Sequence, residues 1–225
     1  MRRLLFILSA VASVALCLAS VRHLVPLALT EVLGFITGGY CVWLTVEENV
    51  WNWPIGIANS AFFLALFLHT RLFADAALQL VYIVLGFLGW YWWLRGGPAK
   101  TVLHVRRIGM REASVLVLIA VSVTTGMTRF LGSVHDAAPF WDAFTTVLSL
   151  IAQYLLTRKV LENWPVWITA DVIYVWLYAY KHLYLTSGLY IVFLALCIGG
   201  LVRWARTLRV SPNAANLEGS MGRVG

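Results

Sequence analysis

The sequence predicts an all-α polytopic membrane protein made of two parallel three-helix repeats joined by a linking helix (3+1+3), plus an additional N-terminal helix. Three observations support this fold class. The 225 residues are 61% hydrophobic and only 12% charged, which leaves too few charges to cover a soluble domain. Apolar segments recur at the length of about 20 residues that a bilayer span requires. An ungapped internal repeat also relates the first half of the chain to the second.

Eight apolar segments are predicted as helices, at 4–22, 28–46, 53–69, 72–94, 113–131, 139–157, 163–181 and 184–205. The first forms an extra N-terminal region, 1–27, and we expect it to be retained as a helix. A cleaved signal peptide is the alternative, because this segment begins with two arginines and ends in small residues. The polar, Gly-containing segment 207–225 is predicted to be a disordered cytoplasmic tail.

The distribution of basic residues predicts the orientation in the membrane. Of 17 Lys and Arg residues, an N-terminus on the inside leaves only four on the exterior, namely Arg22, Arg71, Arg129 and Lys181. Cytoplasmic loops of membrane proteins carry such an excess of positive charge. We therefore expect a multi-pass protein of the bacterial cytoplasmic (inner) membrane with both termini in the cytoplasm. The net charge of +7 then reflects contact with anionic lipid and predicts no nucleic-acid partner.

The internal repeat has an offset of 111 residues. Besides many apolar positions it pairs Asn52, Trp53 and Pro54 with Asn163, Trp164 and Pro165, and Gly89, Trp93 and Arg95 with Gly200, Trp204 and Arg206. The repeat units are 28–95 and 139–206, and 96–138 holds a basic loop and the linking helix. Three spans plus one is an even number, so both units enter the membrane in the same direction. Parallel repeats are typical of transporters whose substrate site lies between the two halves near the midplane.

The seventh predicted helix carries the strongest candidate site. Trp164, Trp167 and Asp171 are spaced by three and four residues, so they lie on one face of a helix. An unpaired carboxylate is costly in hydrocarbon, and aromatic rings beside an acid suit a flat, cationic ligand. Tyr174 flanks the same group. The alternatives are helix-to-helix hydrogen bonding for the acid and an interfacial aromatic belt for the tryptophans.

Two polar residues of the first repeat complete the predicted site. Asn59 and Asp171 lie at similar depths, six and seven residues after the repeated tryptophans Trp53 and Trp164. Gln79 lies early in the fourth helix. For Gln153, late in the sixth helix, we expect helix-to-helix hydrogen bonding instead.

Several chemistries have no motif in the sequence. The three cysteines show no CxxC spacing, and there is no GxxxxGK[ST], GxSxG or HExxH pattern. We therefore predict no enzyme activity, no cofactor and no metal site. Two rivals remain, an intramembrane enzyme using Asp171, Asp142 and His135, and a scaffold protein whose polar residues only join helices.

Specific motif strings resemble one known family. The strings are Trp51-Asn-Trp-Pro, Leu78-Gln79 and Gly89-Trp-Tyr-Trp-Trp93 in the first repeat, and Pro139-Phe-Trp-Asp142, Leu156-Thr-Arg-Lys159 and Glu162-Asn-Trp164 in the second. Together they resemble the Pnu-type vitamin transporters, and most closely the nicotinamide riboside carriers among them, over residues 30–206. The N-terminal helix lies outside this resemblance.

The resemblance implies a fold, a function and a set of site residues. It implies seven core helices in a homotrimer, with one path per protomer for facilitated diffusion of nicotinamide riboside, a precursor of NAD. Phosphorylation in the cytoplasm would make uptake one-way. Trp164, Trp167 and Asp171 match the ligand-binding motif of the family, and Asn59 and Gln79 fall on the corresponding first-repeat helices.

Position 171 departs from the pattern of this family. Many nicotinamide riboside carriers have Asn where this chain has Asp171. An acid there can pair with the pyridinium of nicotinamide riboside, but also with the thiazolium of thiamine. Riboflavin, which is neutral and larger, is a further alternative, because relatives in the same family carry it.

Overall fold

The computed structural model describes residues 2–22, 24, 29–69, 71, 73–133, 138–180, 182 and 184–221. Within these ranges the chain is helical, with α1 (Arg2–Val21), α2 (Leu29–Val46), α3 (Asn52–His69), α4 (Phe73–Arg95), α5 (Met110–Ser133), α6 (Pro139–Thr157), α7 (Asn163–Tyr180) and α8 (Tyr184–Met221). A 3-10 turn, Pro98–Lys100, lies between α4 and α5. All eight predicted helices are present, and His135 and Asp136 lie outside the described residues.

The end of α8 differs from the prediction. The sequence predicts a disordered tail at 207–225, whereas α8 continues to Met221. The extension contains Pro212, which has no amide hydrogen to donate, but the run from Ala214 to Glu218 that follows it contains good helix formers. The polarity of the segment therefore did not predict its local structure.

Three stretches of the described chain are long and apolar enough to cross a membrane. They are Ala76–Arg95 in α4, Met110–Ser133 in α5 and Thr186–Arg209 in α8. By contrast, α3, α6 and α7 have only 18 or 19 residues and carry polar side chains, which lowers their hydropathy. Each of these shorter helices has buried polar residues that line the interior of the bundle, such as Asn52, Ser149 and Asp171.

The helices pack as two triplets. In the first triplet α3 contacts α2 and α4, and in the second α7 contacts α6 and α8. The triplets meet where α2 contacts α8 and where α4 contacts α6, while α1 packs on α2 and α5 packs on α6. Helices α3 and α7 begin at Asn52 and Asn163 and end at His69 and Tyr180, so both ends differ by the same 111 residues.

The largest buried cluster lies at one end of the bundle, where α2 and α6 end and α3 and α7 begin. We call this the basic end, and it also includes segment 96–109. The tryptophan cluster at this end consists of Trp53, Trp93, Trp164 and Trp204, all at most 3% exposed. Segment 96–109 is held against the α6–α7 turn, because the Arg106 amide donates to the Lys159 carbonyl and the Leu161 amide donates to the Arg106 carbonyl.

A candidate substrate cavity between the two triplets

A cavity of about 450 Å³ lies between the two triplets. Helices α2, α3, α4, α6, α7 and α8 all contribute to its lining, and none of the described lining residues belongs to α1 or α5. Every residue of the predicted site lines it: Asn59, Gln79, Trp164, Trp167, Asp171 and Tyr174. The structure therefore brings together, from three helices, side chains that are up to 115 positions apart in sequence.

Helix α7 presents its polar face to this cavity. Asp171 is 6% exposed and is the one acidic side chain among the described residues that line the cavity. Cys197 of α8 lines the same cavity, and Asp171 Oδ2 has no hydrogen-bond partner in the described part of the protein. Burial of a carboxylate is unfavourable unless it is compensated. A cation in the cavity would supply that compensation.

The two tryptophans of α7 have different environments. Trp164 is 1% exposed, its ring stands edge-on to Trp204 at 5.3 Å, and it covers Gly200, where a Cβ atom would overlap the ring. Trp164 thus forms the end of the cavity nearest the basic end and is not an interfacial belt residue. Trp167 is only partly buried and lines the cavity one turn further along α7.

Asn59 contacts a neighbouring helix as well as the cavity. Its side-chain nitrogen donates a hydrogen bond to Thr37 Oγ1 of α2 and a longer one, 3.5 Å, to the Gly34 carbonyl. The helix-to-helix bonding considered as an alternative is therefore present for this residue. Because the amide nitrogen is occupied, the carbonyl oxygen is the group of Asn59 that remains for a ligand. Gln153, expected only to join helices, also lines the cavity.

Tyrosines form a part of the lining that the sequence analysis missed. Tyr190 of α8 lines the cavity and packs against Tyr174 and Tyr178, with ring centroids 4.9 and 5.3 Å away. Tyr82 of α4 and Ser149 of α6 also line the cavity, so both triplets contribute hydroxyl groups to its wall. Tyrosine is common in membrane helices, so no sequence signal distinguished these rings from lipid-facing ones.

The asparagines before the repeated tryptophans were also missed, although the repeat itself marks them. Asn52 and Asn163 are at most 2% exposed and line the cavity beside Trp53 and Trp164. Their Oδ1 atoms and the Nε1 atoms of Trp53 and Trp164 are buried and have no partner among the described protein groups. The repeat therefore duplicates a pair of polar groups at the end of the cavity.

Equivalent contacts join the triplets at the basic end. Trp93 Nε1 donates to the Leu156 carbonyl at 3.0 Å, and Trp204 Nε1 donates to the Thr45 carbonyl at 3.2 Å. Both the donors and the acceptors differ by 111 positions. Each triplet thus places one indole against the end of the first helix of the other triplet.

An ion pair lies beside these indoles. Lys159 Nζ is 2.8 Å from a carboxylate oxygen of Glu48, and the two residues again differ by 111 positions. Both have left-handed backbone conformations, with φ of 55° at Glu48 and 53° at Lys159, in the turns that follow α2 and α6. The buried lysine also donates to the Leu103 carbonyl at 3.1 Å and lies over the Trp93 ring at 4.8 Å.

Comparisons with known proteins identify relatives across most of the chain. The family model described as nicotinamide mononucleotide transporter matches residues 28–206. The nicotinamide riboside transporter PnuC of Escherichia coli (strain K12) is 28% identical over 205 residues, covering 80% of this chain and 86% of that protein. The riboflavin/roseoflavin transporter RibM of Streptomyces davaonensis is 25% identical over 180 residues, covering 78% and 84%.

A solved structure has a similar fold. It is the crystal structure of the vitamin B3 transporter PnuC, with a TM-score of 0.66, 22% sequence identity, and coverage of 90% of this chain and 92% of that chain. The all-helical membrane fold predicted from composition and helix length is thereby confirmed.

Proposed function

The chain belongs to the nicotinamide mononucleotide transporter family, as its motifs predicted, and we propose that it takes up nicotinamide riboside by facilitated diffusion. Its relatives include proteins named as nicotinamide riboside transporters from Escherichia coli, Shigella flexneri and Neisseria mucosa. The family and these relatives are membrane transporters. For this chain, the proposal adds that the substrate is nicotinamide riboside and that the protein is a carrier without enzyme activity.

Asp171 is the observation that best supports this substrate. Its carboxyl group is buried at the wall of the cavity, with Oδ2 unpaired in the described protein and Trp167 one turn away on α7. Nicotinamide riboside has a permanently charged, flat pyridinium ring. Stacking on the indole and charge pairing with the acid would act on the same ring. The mononucleotide is disfavoured, because its phosphate would bring negative charge to Asp171 and to a low-dielectric path.

The proposed roles of the other residues follow from their positions. Trp164 closes the cavity under the base, and Tyr174 packs at its opposite edge. The carbonyl oxygen of Asn59 accepts a hydrogen bond from a ribose hydroxyl, and the Gln79 amide accepts or donates another. A carrier must release what it binds, so we expect a dissociation constant on the order of micromolar.

The proposed mechanism is alternating access between two halves, 28–95 and 139–206, linked by 96–138. The contacts that repeat with the offset of 111 support a pseudo-twofold relation between these halves, with an axis along the membrane normal. Rocking of one half against the other would open the cavity to one side at a time. Phosphorylation in the cytoplasm would then trap the substrate and make net uptake one-way.

The proposed setting is the bacterial cytoplasmic membrane. The excess of Lys and Arg around the basic end supports its placement on the cytoplasmic side, together with both termini. We propose a homotrimer with one substrate path per protomer, in a lipid bilayer and without a nucleic-acid partner.

A second vitamin is the alternative within the same mechanism. The similarity to the riboflavin/roseoflavin transporter RibM favours riboflavin, and a cavity of about 450 Å³ does not exclude it by size. Thiamine would use its thiazolium as nicotinamide riboside uses its pyridinium. Riboflavin has no positive charge for Asp171, which makes it the weaker candidate.

Calorimetry on the purified protein tests the proposal. Nicotinamide riboside, thiamine and riboflavin are titrated into the wild type, Trp167→Ala and a control, Trp176→Ala. Trp176 is on the same helix but is 54% exposed and does not line the cavity. We expect nicotinamide riboside alone to bind, with loss of binding in Trp167→Ala only. Binding of thiamine or riboflavin instead would identify that vitamin as the substrate. If none of the three vitamins binds, the scaffold or enzyme hypotheses would be favoured.

A further inference from the structure

Lys159 is the charged residue on which the contacts between the triplets converge at the basic end. Its side chain comes from the second triplet and is 5% exposed. It pairs with Glu48, donates to the Leu103 carbonyl and lies over the Trp93 ring, and all three partners belong to the first triplet or to the segment that follows it. A buried ammonium requires such partners, because its desolvation is otherwise unfavourable. Separation of the triplets at this end would remove the contacts with Glu48 and Trp93 together.

The repeat explains why the charges at these two positions are opposite. Residues at equivalent positions of a parallel repeat lie across the pseudo-twofold axis from each other, and Glu48 and Lys159 are equivalent in both sequence position and backbone conformation. Identical charged residues there would repel. An acid in one repeat and a base in the other convert the same geometry into attraction. The pair therefore stabilises the arrangement in which the basic end is closed.

Other groups at this end favour opening. The indole nitrogens of Trp53 and Trp164 are buried without a protein partner, and so are the side-chain oxygens of Asn52 and Asn163, among the residues that the structure describes. Buried polar groups without hydrogen bonds raise the free energy of the closed arrangement. Separation of the triplets would expose these groups to water. The closed end thus combines an attractive ion pair with polar groups that destabilise closure.

From this balance we infer that Lys159 is the latch of the inner gate, defined as the tryptophan cluster together with the Glu48–Lys159 pair. The latch keeps the cavity closed toward the cytoplasm until the triplets separate at this end, and release of the pair opens it. The inference rests on the proposed function and adds the residue that controls the inner opening. The unpaired indole nitrogen of Trp53 acts in the opposite direction.

Access to a cavity thiol from the cytoplasmic side measures the state of this gate. Cys41 lines the cavity, with its thiol donating to the Asn52 carbonyl at 3.2 Å. Inside-out membrane vesicles are treated with a membrane-impermeant maleimide, and alkylation of Cys41 is quantified by peptide mass spectrometry. We expect Lys159→Met to raise the labelling rate about tenfold, which corresponds to about 1.4 kcal/mol of bias toward the open gate. Lys100→Met, which removes an exposed lysine at the same end, should label like the wild type.

Two further variants keep the inference testable. Glu48→Gln removes the charge of the more exposed partner of the pair and should also raise labelling. It tests the inference independently if Lys159→Met does not fold. The charge swap, Glu48→Lys combined with Lys159→Glu, restores the ion pair and should return labelling most of the way to the wild-type rate. By the repeat, the lysine at position 48 would have Trp204 as its neighbouring ring in place of Trp93.

Faster labelling in the single variants together with recovery in the charge swap supports the latch, since general loosening of the fold would raise labelling in all three. Unchanged labelling in the folded Lys159→Met and Glu48→Gln variants would overturn the inference. So would a charge swap that labels as fast as the single variants. The assay contains no substrate, so calorimetry that identifies another vitamin would correct the proposed function and leave this result intact.

Discussion

Trp93 and Trp204 lie against each other with ring centroids 5.9 Å apart, and each donates its indole hydrogen bond to a carbonyl of the opposite triplet. The acceptors, Leu156 and Thr45, are themselves related by the offset that relates the tryptophans. This arrangement makes the two triplets mutually dependent at the basic end. The Leu156 and Thr45 carbonyls also accept the backbone amides of Lys159 and Glu48, so loss of an indole removes a buried hydrogen bond between the triplets but leaves each carbonyl with a donor.

Replacement of either indole by a phenyl ring tests this dependence. Trp93→Phe and Trp204→Phe should each lower the free energy of unfolding by about 1–3 kcal/mol, because each removes a buried hydrogen bond between the triplets and part of a ring that fills the tryptophan cluster. The measurement is thermal unfolding of the protein in detergent. Trp51→Phe is the control, since Trp51 is 64% exposed and should unfold like the wild type. Equal unfolding temperatures for all three variants would contradict the prediction.

Glycines under the repeated tryptophans should not tolerate a methyl group. A Cβ atom at Gly89 overlaps the Trp53 ring, and one at Gly200 overlaps the Trp164 ring. Overpacking of this kind costs about 1–3 kcal/mol, so Gly89→Ala and Gly200→Ala should unfold at lower temperature. Gly199→Ala is a matched control on α8, because nothing lies within 4 Å of its added carbon. It should be neutral or slightly stabilising, as alanine favours helix over glycine.

Neutralisation of Asp171 should weaken binding of a cationic substrate without removing the cavity. Asp171→Asn keeps the shape of the side chain but loses the charge that would face the pyridinium ring. We expect about a tenfold higher dissociation constant for nicotinamide riboside by calorimetry, equivalent to about 1.4 kcal/mol. Asp142→Asn serves as the control, because Asp142 is at the start of α6 and does not line the cavity. Unaltered affinity in Asp171→Asn would show that charge pairing is not part of recognition.

The segment between α4 and α5 should loosen when its ion pair is removed. Arg106 donates two hydrogen bonds to Glu112, at 2.8 and 3.0 Å, and the Tyr154 hydroxyl donates to the same carboxylate. Arg106→Gln should increase the rate of proteolysis within 96–109 severalfold. The effect on global stability should stay below about 1 kcal/mol, because a partly exposed pair is screened by solvent. Arg107→Gln, at the exposed neighbouring position, is the control and should cleave at the wild-type rate.

The order and limits of the helices could be predicted from the sequence because the bilayer imposes a length on apolar segments. Seven of the eight predicted helices end within three residues of the observed limits at both ends. The exception is α8, which continues through a polar segment that composition alone marked as disordered. Family membership also followed from motif strings, and the family match confirmed it.

The candidate site was only partly accessible to the same reasoning. Helical spacing placed Trp164, Trp167 and Asp171 on one face, and the structure places that face on the cavity. The helical spacing did not distinguish the buried Trp164, which covers Gly200, from the more accessible Trp167. Tyr190 was missed, because the contribution of α8 to the cavity depends on how that helix is rotated against α7.

The sequence by itself determined which segments are helical, how they repeat and which side chains share a helix face, since these depend on local periodicity and on bilayer thickness. Only the tertiary structure decided that Asn59 bonds to Thr37, that indoles reach carbonyls of the opposite triplet and that Glu48 meets Lys159. Those pairs are 22 to 159 residues apart, and their formation depends on helix rotation and crossing, which side-chain packing between helices sets and periodicity does not encode.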